Sequence, residues 1–279
     1  MKSTSSGAAA FVLITLVILA FTSTIGRGAE PAAQSSTNAS PTLFIIGDST
    51  VNNSTKGLQG WGTPISKLFD TNRITVRNKA RGGRSSRTYY TEGLWEEVRT
   101  ALKPGDFVLM QFGHNDGGPL SDGRARASLK GNGDETQEID NKTTGKKEVV
   151  HTYGWYLRKY ISDTKAVHAT PIVLSLVPRN IWKDGKVARA SNDYGKWAAE
   201  AAKAEGAFFI DLNGVIAQHY EEQGQQKVAE VYFTSADHTH TTPAGAELNA
   251  ASVTKGISAL QDCLLRNYLL PASKEARKP

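Results

Sequence analysis

Short apolar runs alternate with segments of helical periodicity along most of the chain. The continuous apolar run at 43–46 is typical of a strand buried on both faces. Similar runs predict four further strands, at 74–76, 106–112, 171–177 and 207–211. Apolar residues recur at helical spacing between the strands, at 60–69, 94–102, 153–168, 191–205 and from 243 onward. Strands separated by helices imply parallel crossovers, so the pattern predicts one doubly wound α/β domain over residues 42–270.

One polar segment interrupts this alternation. Residues 117–150 are rich in glycine and charge, and they are far longer than an ordinary connection between a strand and a helix. The segment follows the third predicted strand, at the carboxyl edge where open α/β sheets bind ligands. We therefore expect a long loop insert that forms one wall of a substrate site.

The N-terminus has the pattern of a secretory signal peptide over residues 1–33. Lys2 precedes an apolar run at 11–21, and small residues follow it. The run is short for a bilayer span, so we expect cleavage between residues 26 and 33 and no membrane span afterwards. We expect a disordered tether at 34–41 and a flexible tail at 271–279.

Composition and charge narrow the class of protein. The 279 residues carry a net charge of +6, and loss of residues 1–33 lowers it to +5. The single cysteine, Cys263, excludes an internal disulfide and a cysteine-based zinc or iron–sulfur site. An exported chain with one cysteine favours a secreted or periplasmic protein of a bacterial envelope. We expect a monomer with no nucleic-acid partner.

Polar motifs follow the first three predicted strands at the same edge of the sheet. Ser49 follows the first strand on a turn, where a hydroxyl is exposed as a nucleophile requires, although Gly-Asp-Ser-Thr is also ordinary turn composition. The second strand leads to Gly83, whose backbone N–H can approach a reacting oxygen. The third leads to Asn115, whose side-chain amide is a donor of the type found in oxyanion holes.

A fourth motif, Asp237-His-Thr-His240, precedes a helix that starts with the pair Thr242-Pro243. A carboxylate and an imidazole three residues apart on a turn can hydrogen-bond, so that Asp237 orients a ring that takes the serine proton. By itself this pair is also a common surface turn. His238, together with Asp237 and His114, offers an alternative metal site. Acyl transfer is favoured because it also uses the polar groups after the first three strands.

These four motifs, in this order, resemble those of the SGNH (GDSL-type) hydrolases. The longer segments 82–88, 112–118 and 237–246 are similar to rhamnogalacturonan acetylesterases, and the similarity covers essentially all of the predicted domain. The resemblance implies the SGNH hydrolase fold, a flavodoxin-like three-layer sandwich around a five-stranded parallel sheet. It also implies an exported serine esterase that removes acetyl groups from the rhamnogalacturonan backbone of pectin through an acyl-enzyme, with no cofactor or metal.

The resemblance assigns roles by position. Ser49 is the expected nucleophile, His240 the general base and acid, and Asp237 the carboxylate that orients His240. The expected oxyanion hole consists of the Ser49 amide, the Gly83 amide and the Asn115 side chain.

Four further residues are candidate contacts to an acetylated acidic polysaccharide. Arg84 and Arg87 lie with Arg81 in the segment that contains Gly83, and arginine pairs well with uronate carboxylates. Alternatively, these arginines are a solvated face, or Arg84 ties the loop down internally. His114 and Trp182 are the other two candidates.

Two alternatives to pectin deacetylation are left open by the sequence. One is an esterase for another acetylated polysaccharide, such as xylan, or for a lipid ester. The other is a carbohydrate-binding protein on the same fold that has lost catalysis, since fold does not determine function.

Overall fold

The computed structural model describes residues 40–271; the predicted signal peptide, most of the tether and residues 272–279 of the predicted tail lie outside them. The strands are β1 (Thr42–Gly47), β2 (Thr75–Asn78), β3 (Phe107–Gln111), β4 (Thr136–Asn141), β5 (Lys146–His151), β6 (Thr170–Leu174), β7 (Trp182–Lys183), β8 (Lys186–Val187) and β9 (Phe208–Ile210). The α-helices are α1 (Ser86–Thr91), α2 (Leu94–Ala101), α3 (Tyr153–Ala166), α4 (Tyr194–Ala204), α5 (Leu212–Gln223), α6 (Gln225–Val231) and α7 (Pro243–Ala259). Short 3-10 helices span Pro64–Leu68 and Leu264–Tyr268.

Five of the strands form one parallel sheet in the order β2-β1-β3-β6-β9. This order confirms the predicted doubly wound α/β fold. Strand β2 lies beside β1 at one edge of the sheet, whereas β3, β6 and β9 follow on the other side of β1. The direction of winding therefore reverses between β1 and β3. Sheets of this type bind ligands at the carboxyl ends of their strands, beside that reversal.

The side chains of β1 show why helices cover both faces of the sheet. Successive side chains of a strand point to opposite faces. Leu43 and Ile45 belong to one buried apolar cluster with α5 and α7, whereas Phe44 and Ile46 belong to a second cluster with α2, α3 and α4. A strand that is apolar on both sides therefore requires two covering layers, which gives the three-layer sandwich.

Local sequence sets the start of the final helix as predicted. The Thr242 hydroxyl accepts from the N–H of Gly245, and Pro243 at the first helical position has no N–H to leave unpaired. The helix ends at Ala259, so Cys263 lies beyond it. Cys263 is fully buried at the start of the second 3-10 helix.

The segment 117–150 is more ordered than the predicted loop insert. It contains an antiparallel hairpin in which β4 pairs with β5. Only Ile139, Asn141 and Val150 of these strands are buried, while most of the other side chains are polar and exposed. Because the hairpin is almost entirely polar, the apolar pattern alone does not predict it.

Other observed elements also differ from those that the apolar pattern predicts. The helix predicted at 60–69 is only the 3-10 helix Pro64–Leu68, since Gly60 packs directly on the turn after β1. A Cβ atom on Gly60 would lie 2.3 Å from the Val51 carbonyl carbon. Helices α1, α5 and α6 were not predicted. Within residues 40–271, no helix is both long and apolar enough to cross a membrane.

Candidate active site

Ser49 lies on the turn after β1, and His240 lies 191 residues later, just before α7. Ser49 Oγ and His240 Nε2 are 2.7 Å apart. On the other side of the ring, His240 Nδ1 donates to Asp237 Oδ2 at 2.7 Å. This bond keeps the proton of the neutral ring on Nδ1, which leaves Nε2 to accept from the Ser49 hydroxyl. The structure therefore brings the three residues together in the order hydroxyl, imidazole, carboxylate, as nucleophilic acyl transfer requires.

Backbone N–H groups hold the Asp237 carboxylate in place. Its Oδ1 accepts from the N–H of Thr239 at 2.8 Å and from the N–H of His240 at 2.9 Å. Partial burial raises the pKa of Asp237, but these two bonds and the bond from the His240 ring outweigh burial, so the pKa lies below its ordinary value. The carboxylate is therefore ionised at neutral pH, when it is needed to orient His240.

A buried polar network supports the turn that carries Ser49. Asp48 Oδ1 accepts from the N–H of Thr50 at 2.8 Å and from its hydroxyl at 2.7 Å. Gln111, at the end of β3, donates to the Thr50 hydroxyl at 2.6 Å and accepts from Trp61 Nε1 at 2.9 Å. These bonds join the ends of β1 and β3, so they fix the backbone next to the nucleophile candidate.

His114 belongs mainly to this buried network. Its Nδ1 lies 3.4 Å from Asp48 Oδ2, and its side chain is only 3% exposed. Burial raises the pKa of Asp48, but the neighbouring His114 and the bonds from Thr50 outweigh burial and lower it. His114 reaches the edge of the cavity beside Ser49, but it offers a substrate little surface.

The three candidate oxyanion donors lie around one cavity, which Ser49, Gly83 and Asn115 all line. Gly83 has φ +80°, a conformation that favours glycine. A Cβ on Gly82 would lie 3.6 Å from Ser49 Cβ, so this stretch of backbone passes directly beside the serine. Asn115 Nδ2 donates to Arg84 O at 2.9 Å, and its amide group has a second N–H to offer. The arrangement can direct donors at an oxygen on the carbon that Ser49 attacks.

The cavity around Ser49 has a volume of about 820 Å³ and a mainly polar lining. Its acidic lining residues are Glu97 and Asp237, and its basic lining residues are Lys79, Arg81, Arg124, Arg126 and Arg179. Within residues 40–271, these five basic side chains form no ion pair with a carboxylate. The cavity therefore presents excess positive charge to a substrate.

Arg84 and Arg87 do not line this cavity, and the full burial of Arg87 corrects its prediction as a substrate contact, whereas the prediction for the partly exposed Arg84 stays a prediction. Arg87 is fully buried, and its guanidinium makes two bonds of 2.7 Å to the Glu148 carboxylate and two more to backbone carbonyls. Arg84 Nε donates to Glu92 at 2.8 Å. The physical reason is that α1 begins between the two arginines, which turns Arg87 into the protein and Arg84 toward the end of the helix.

Trp182 is also outside the cavity lining. Its Nε1 donates to Asn180 Oδ1 at 2.7 Å, and its ring packs against the apolar cluster of α5 and α7. Sequence reasoning instead missed Arg124, Arg126 and Arg179. The first two belong to the segment 117–150, which we predicted as a wall of the site without identifying the residues.

Asp116 attaches the segment 117–150 to the loops around Ser49. Its buried carboxylate accepts from the N–H of Ser86 at 3.1 Å, from the Ser86 hydroxyl, and from the Ser128 hydroxyl at 3.0 Å. Burial raises the pKa of Asp116 to about 6, although these hydrogen bonds act in the opposite direction. Asn115 precedes Asp116 and Arg126 lies two residues before Ser128, so these bonds position both walls of the cavity.

The alternative metal site is not formed by the described residues. His114 lies beside Asp48, whereas Asp237 bonds to His240. Within residues 40–271, no group of three or more His, Cys, Asp or Glu side chains is arranged to hold a metal ion.

Comparisons with known proteins agree with this geometry. The model of the GDSL-like lipase/acylhydrolase family matches residues 45–248. A rhamnogalacturonan acetylesterase from Emericella nidulans is 34% identical over 229 residues, which cover 81% of this chain and 89% of the fungal protein. A probable rhamnogalacturonan acetylesterase from Bacillus subtilis is 29% identical and covers 78% of this chain and 93% of its own.

Solved structures show the same fold. A Bacillus subtilis protein matches with a TM-score of 0.63 at 23% identity, over 79% of this chain and 56% of that protein. An acetylxylan esterase from Geobacillus stearothermophilus matches with a TM-score of 0.51 at 19% identity, over 78% of this chain and 94% of its own. Given the family match over most of the chain, the protein belongs to the GDSL-like lipase/acylhydrolase family and is a serine esterase.

Proposed function

We propose that this protein removes acetyl groups from an acetylated acidic polysaccharide, the rhamnogalacturonan backbone of pectin. The observation that carries the chemistry is the bonded series Ser49, His240, Asp237, which lies beside the Gly83 and Asn115 donors. The names of the two relatives support rhamnogalacturonan as the substrate. The basic lining of the cavity supports a substrate that carries negative charge.

In the proposed mechanism, Ser49 Oγ attacks the acetyl carbonyl carbon while His240 Nε2 takes the hydroxyl proton. The Ser49 and Gly83 amides and the Asn115 side chain donate to the resulting oxyanion. The tetrahedral intermediate then collapses, and the C–O bond to the sugar breaks as His240 returns the proton to the leaving sugar oxygen. Water attacks the acetyl-serine with His240 as base, which releases acetate and restores the enzyme.

The charge of the cavity provides a test of the substrate class. Pectin backbones of this kind carry a uronate carboxylate on alternate sugars, and guanidinium groups bind carboxylates directionally. Arg81 and Arg124 are both exposed and line the cavity from two separate segments of the chain, so replacing both is not expected to disturb the core.

The double variant Arg81→Gln/Arg124→Gln is expected to lower kcat/KM on acetylated rhamnogalacturonan about fivefold, because it removes two exposed charge pairs with the substrate, worth about 0.5 kcal/mol each. Turnover of 4-nitrophenyl acetate, which is neutral, is expected to be unchanged. Added salt should weaken turnover of the polymer and spare the small ester, since exposed charges are screened over about 8 Å at physiological ionic strength. Initial rates on both substrates across a salt series measure this.

A matched control is Lys203→Gln/Lys255→Gln, which removes the same charge from exposed positions outside the cavity lining. The control should leave the rates on both substrates unchanged. Equal salt sensitivity of both substrates, or faster turnover of neutral acetylxylan than of rhamnogalacturonan, would contradict an anionic substrate. Absence of any ester hydrolysis would instead favour a binding protein.

We also propose that the protein acts outside the cytoplasm. The apolar run at 11–21 after Lys2, followed by small residues, supports a cleaved signal peptide. We expect the mature protein, recovered from the envelope or medium of cells that express the full chain, to begin between residues 27 and 34. N-terminal sequencing measures this, and an intact Met1 in the exported fraction would contradict it.

A further inference from the structure

Three consecutive carbonyl groups beside Ser49 each accept a hydrogen bond from a side chain. Arg84 Nη1 donates to Gly82 O at 3.1 Å, and Arg126 Nη1 donates to Gly83 O at 3.0 Å. Asn115 Nδ2 donates to Arg84 O at 2.9 Å. This short loop, residues 82–84, is therefore fixed by two guanidinium groups and one amide.

The bond from Arg84 is made to the peptide that contains the candidate oxyanion donor. Gly82 O and the N–H of Gly83 are the two ends of one planar peptide group. A cation at the carbonyl end holds the plane of that peptide. It also draws electron density from the nitrogen, which makes the N–H a stronger donor. Gly83, at φ +80°, has little intrinsic preference that would otherwise hold this orientation.

Glu92 in turn holds the Arg84 side chain. Arg84 Nε donates to Glu92 Oε2 at 2.8 Å, and Glu92 directly follows α1. The N-terminus of α1 is fixed by the reciprocal bonds of Ser85 and Thr88, so both partners are attached to one short helix. The guanidinium reaches Gly82 O although Arg84 itself is outside the cavity lining.

We propose that Arg84, held by Glu92, is a positioning residue of the oxyanion hole, which orients and polarises the Gly82–Gly83 peptide. This inference rests on the proposed function, because it assumes that the N–H of Gly83 binds the oxyanion. The Arg84 and Glu92 side chains are 37% and 42% exposed, and exposed ion pairs contribute little to stability. Their loss is therefore expected to change turnover more than folding.

The test uses Arg84→Met and the neutral substrate 4-nitrophenyl acetate. We expect kcat to fall about tenfold with KM unchanged, a fraction of the 10²–10³-fold loss typical when an oxyanion donor is removed altogether. Arg84→Lys should recover part of the rate by restoring the charge. Glu92→Gln should lower kcat by a smaller factor, because the guanidinium is still present but less well held.

Two reference variants make the result specific. Arg99→Met removes another exposed arginine–glutamate pair, formed with Glu96 at 2.7 Å on α2, and should leave kcat unchanged. Asn115→Ala removes one of the donors themselves and should lower kcat about 10²–10³-fold with little change in KM. Thermal unfolding of every variant separates a positioning effect from lost stability.

The inference is overturned if Arg84→Met keeps the wild-type kcat on 4-nitrophenyl acetate, whether or not KM for the polymer rises. A rise in that KM alone would make Arg84 a substrate contact, as first predicted. The inference is also overturned if kcat of Arg84→Met falls only in proportion to the folded fraction, with no recovery in Arg84→Lys. If Asn115→Ala too keeps the wild-type kcat, the oxyanion hole is located elsewhere and the proposed mechanism fails with it.

Discussion

Replacing Ser49 by alanine is expected to lower kcat for ester hydrolysis about 10⁵–10⁶-fold, because the covalent route through acyl transfer is lost. The fold should be preserved, since the network beneath the turn uses Asp48, Thr50 and Gln111 and not the Ser49 hydroxyl. Hydrolysis of 4-nitrophenyl acetate measures the rate, and thermal unfolding measures the stability.

Ser258→Ala is the matched control, since it removes a hydroxyl from an exposed position on α7. It should leave both the rate and the thermal midpoint unchanged. An organophosphorus probe that reacts with activated serines should label the wild type and the Ser258 variant but not the Ser49 variant. Turnover by Ser49→Ala within tenfold of the wild type would contradict the assignment of the nucleophile.

Replacing Asp237 by asparagine is expected to lower kcat about 10⁴-fold. Asparagine retains an oxygen that can accept from the N–H groups of Thr239 and His240, so the turn should keep its shape. Its NH₂ group, however, would donate to His240 Nδ1. The ring proton would then reside on Nε2, and the ring could no longer take the proton of Ser49.

The control for this second change is Asp262→Asn, at an exposed position beyond α7. It should have no effect on kcat. Because the pKa of Asp237 is lowered, the wild-type carboxylate stays ionised as the pH falls through the ordinary range for aspartate. Protonation of Asp237 should therefore not reduce the activity of the wild type in that range. A loss of less than tenfold in Asp237→Asn would show that the carboxylate does not control the tautomer of His240.

The positions of the catalytic candidates were predictable because they depend on strand order and local turns. A buried apolar strand ends at Gly47, the apolar strand β3 ends at Gln111, and parallel strands bring their carboxyl ends to one edge. The bond between Asp237 and His240 spans only three residues of one turn. Such features are determined by residues that are close in sequence or by the alternation of strands and helices.

The directions of the arginine side chains were not predictable in the same way. Arg87 is buried because Glu148, 61 residues later in a polar hairpin, neutralises it. No apolar pattern indicates that pairing. The reciprocal bonds of Ser85 and Thr88 form a capping box, and these residues are a local sign that a helix starts there. Such a start would have shown that Arg84 and Arg87 do not share one face of a loop.

The separation of Ser49 and His240 by 191 positions has a consequence during synthesis of the protein. The serine and its strand emerge from the ribosome early, whereas the imidazole and α7, which packs on the sheet, emerge near the end. A nascent or truncated chain that lacks the last forty or so residues therefore cannot hydrolyse an ester, however much of the sheet has folded. Esterase activity is thus a reporter that translation has passed His240 and that the two distant parts of the site have come together.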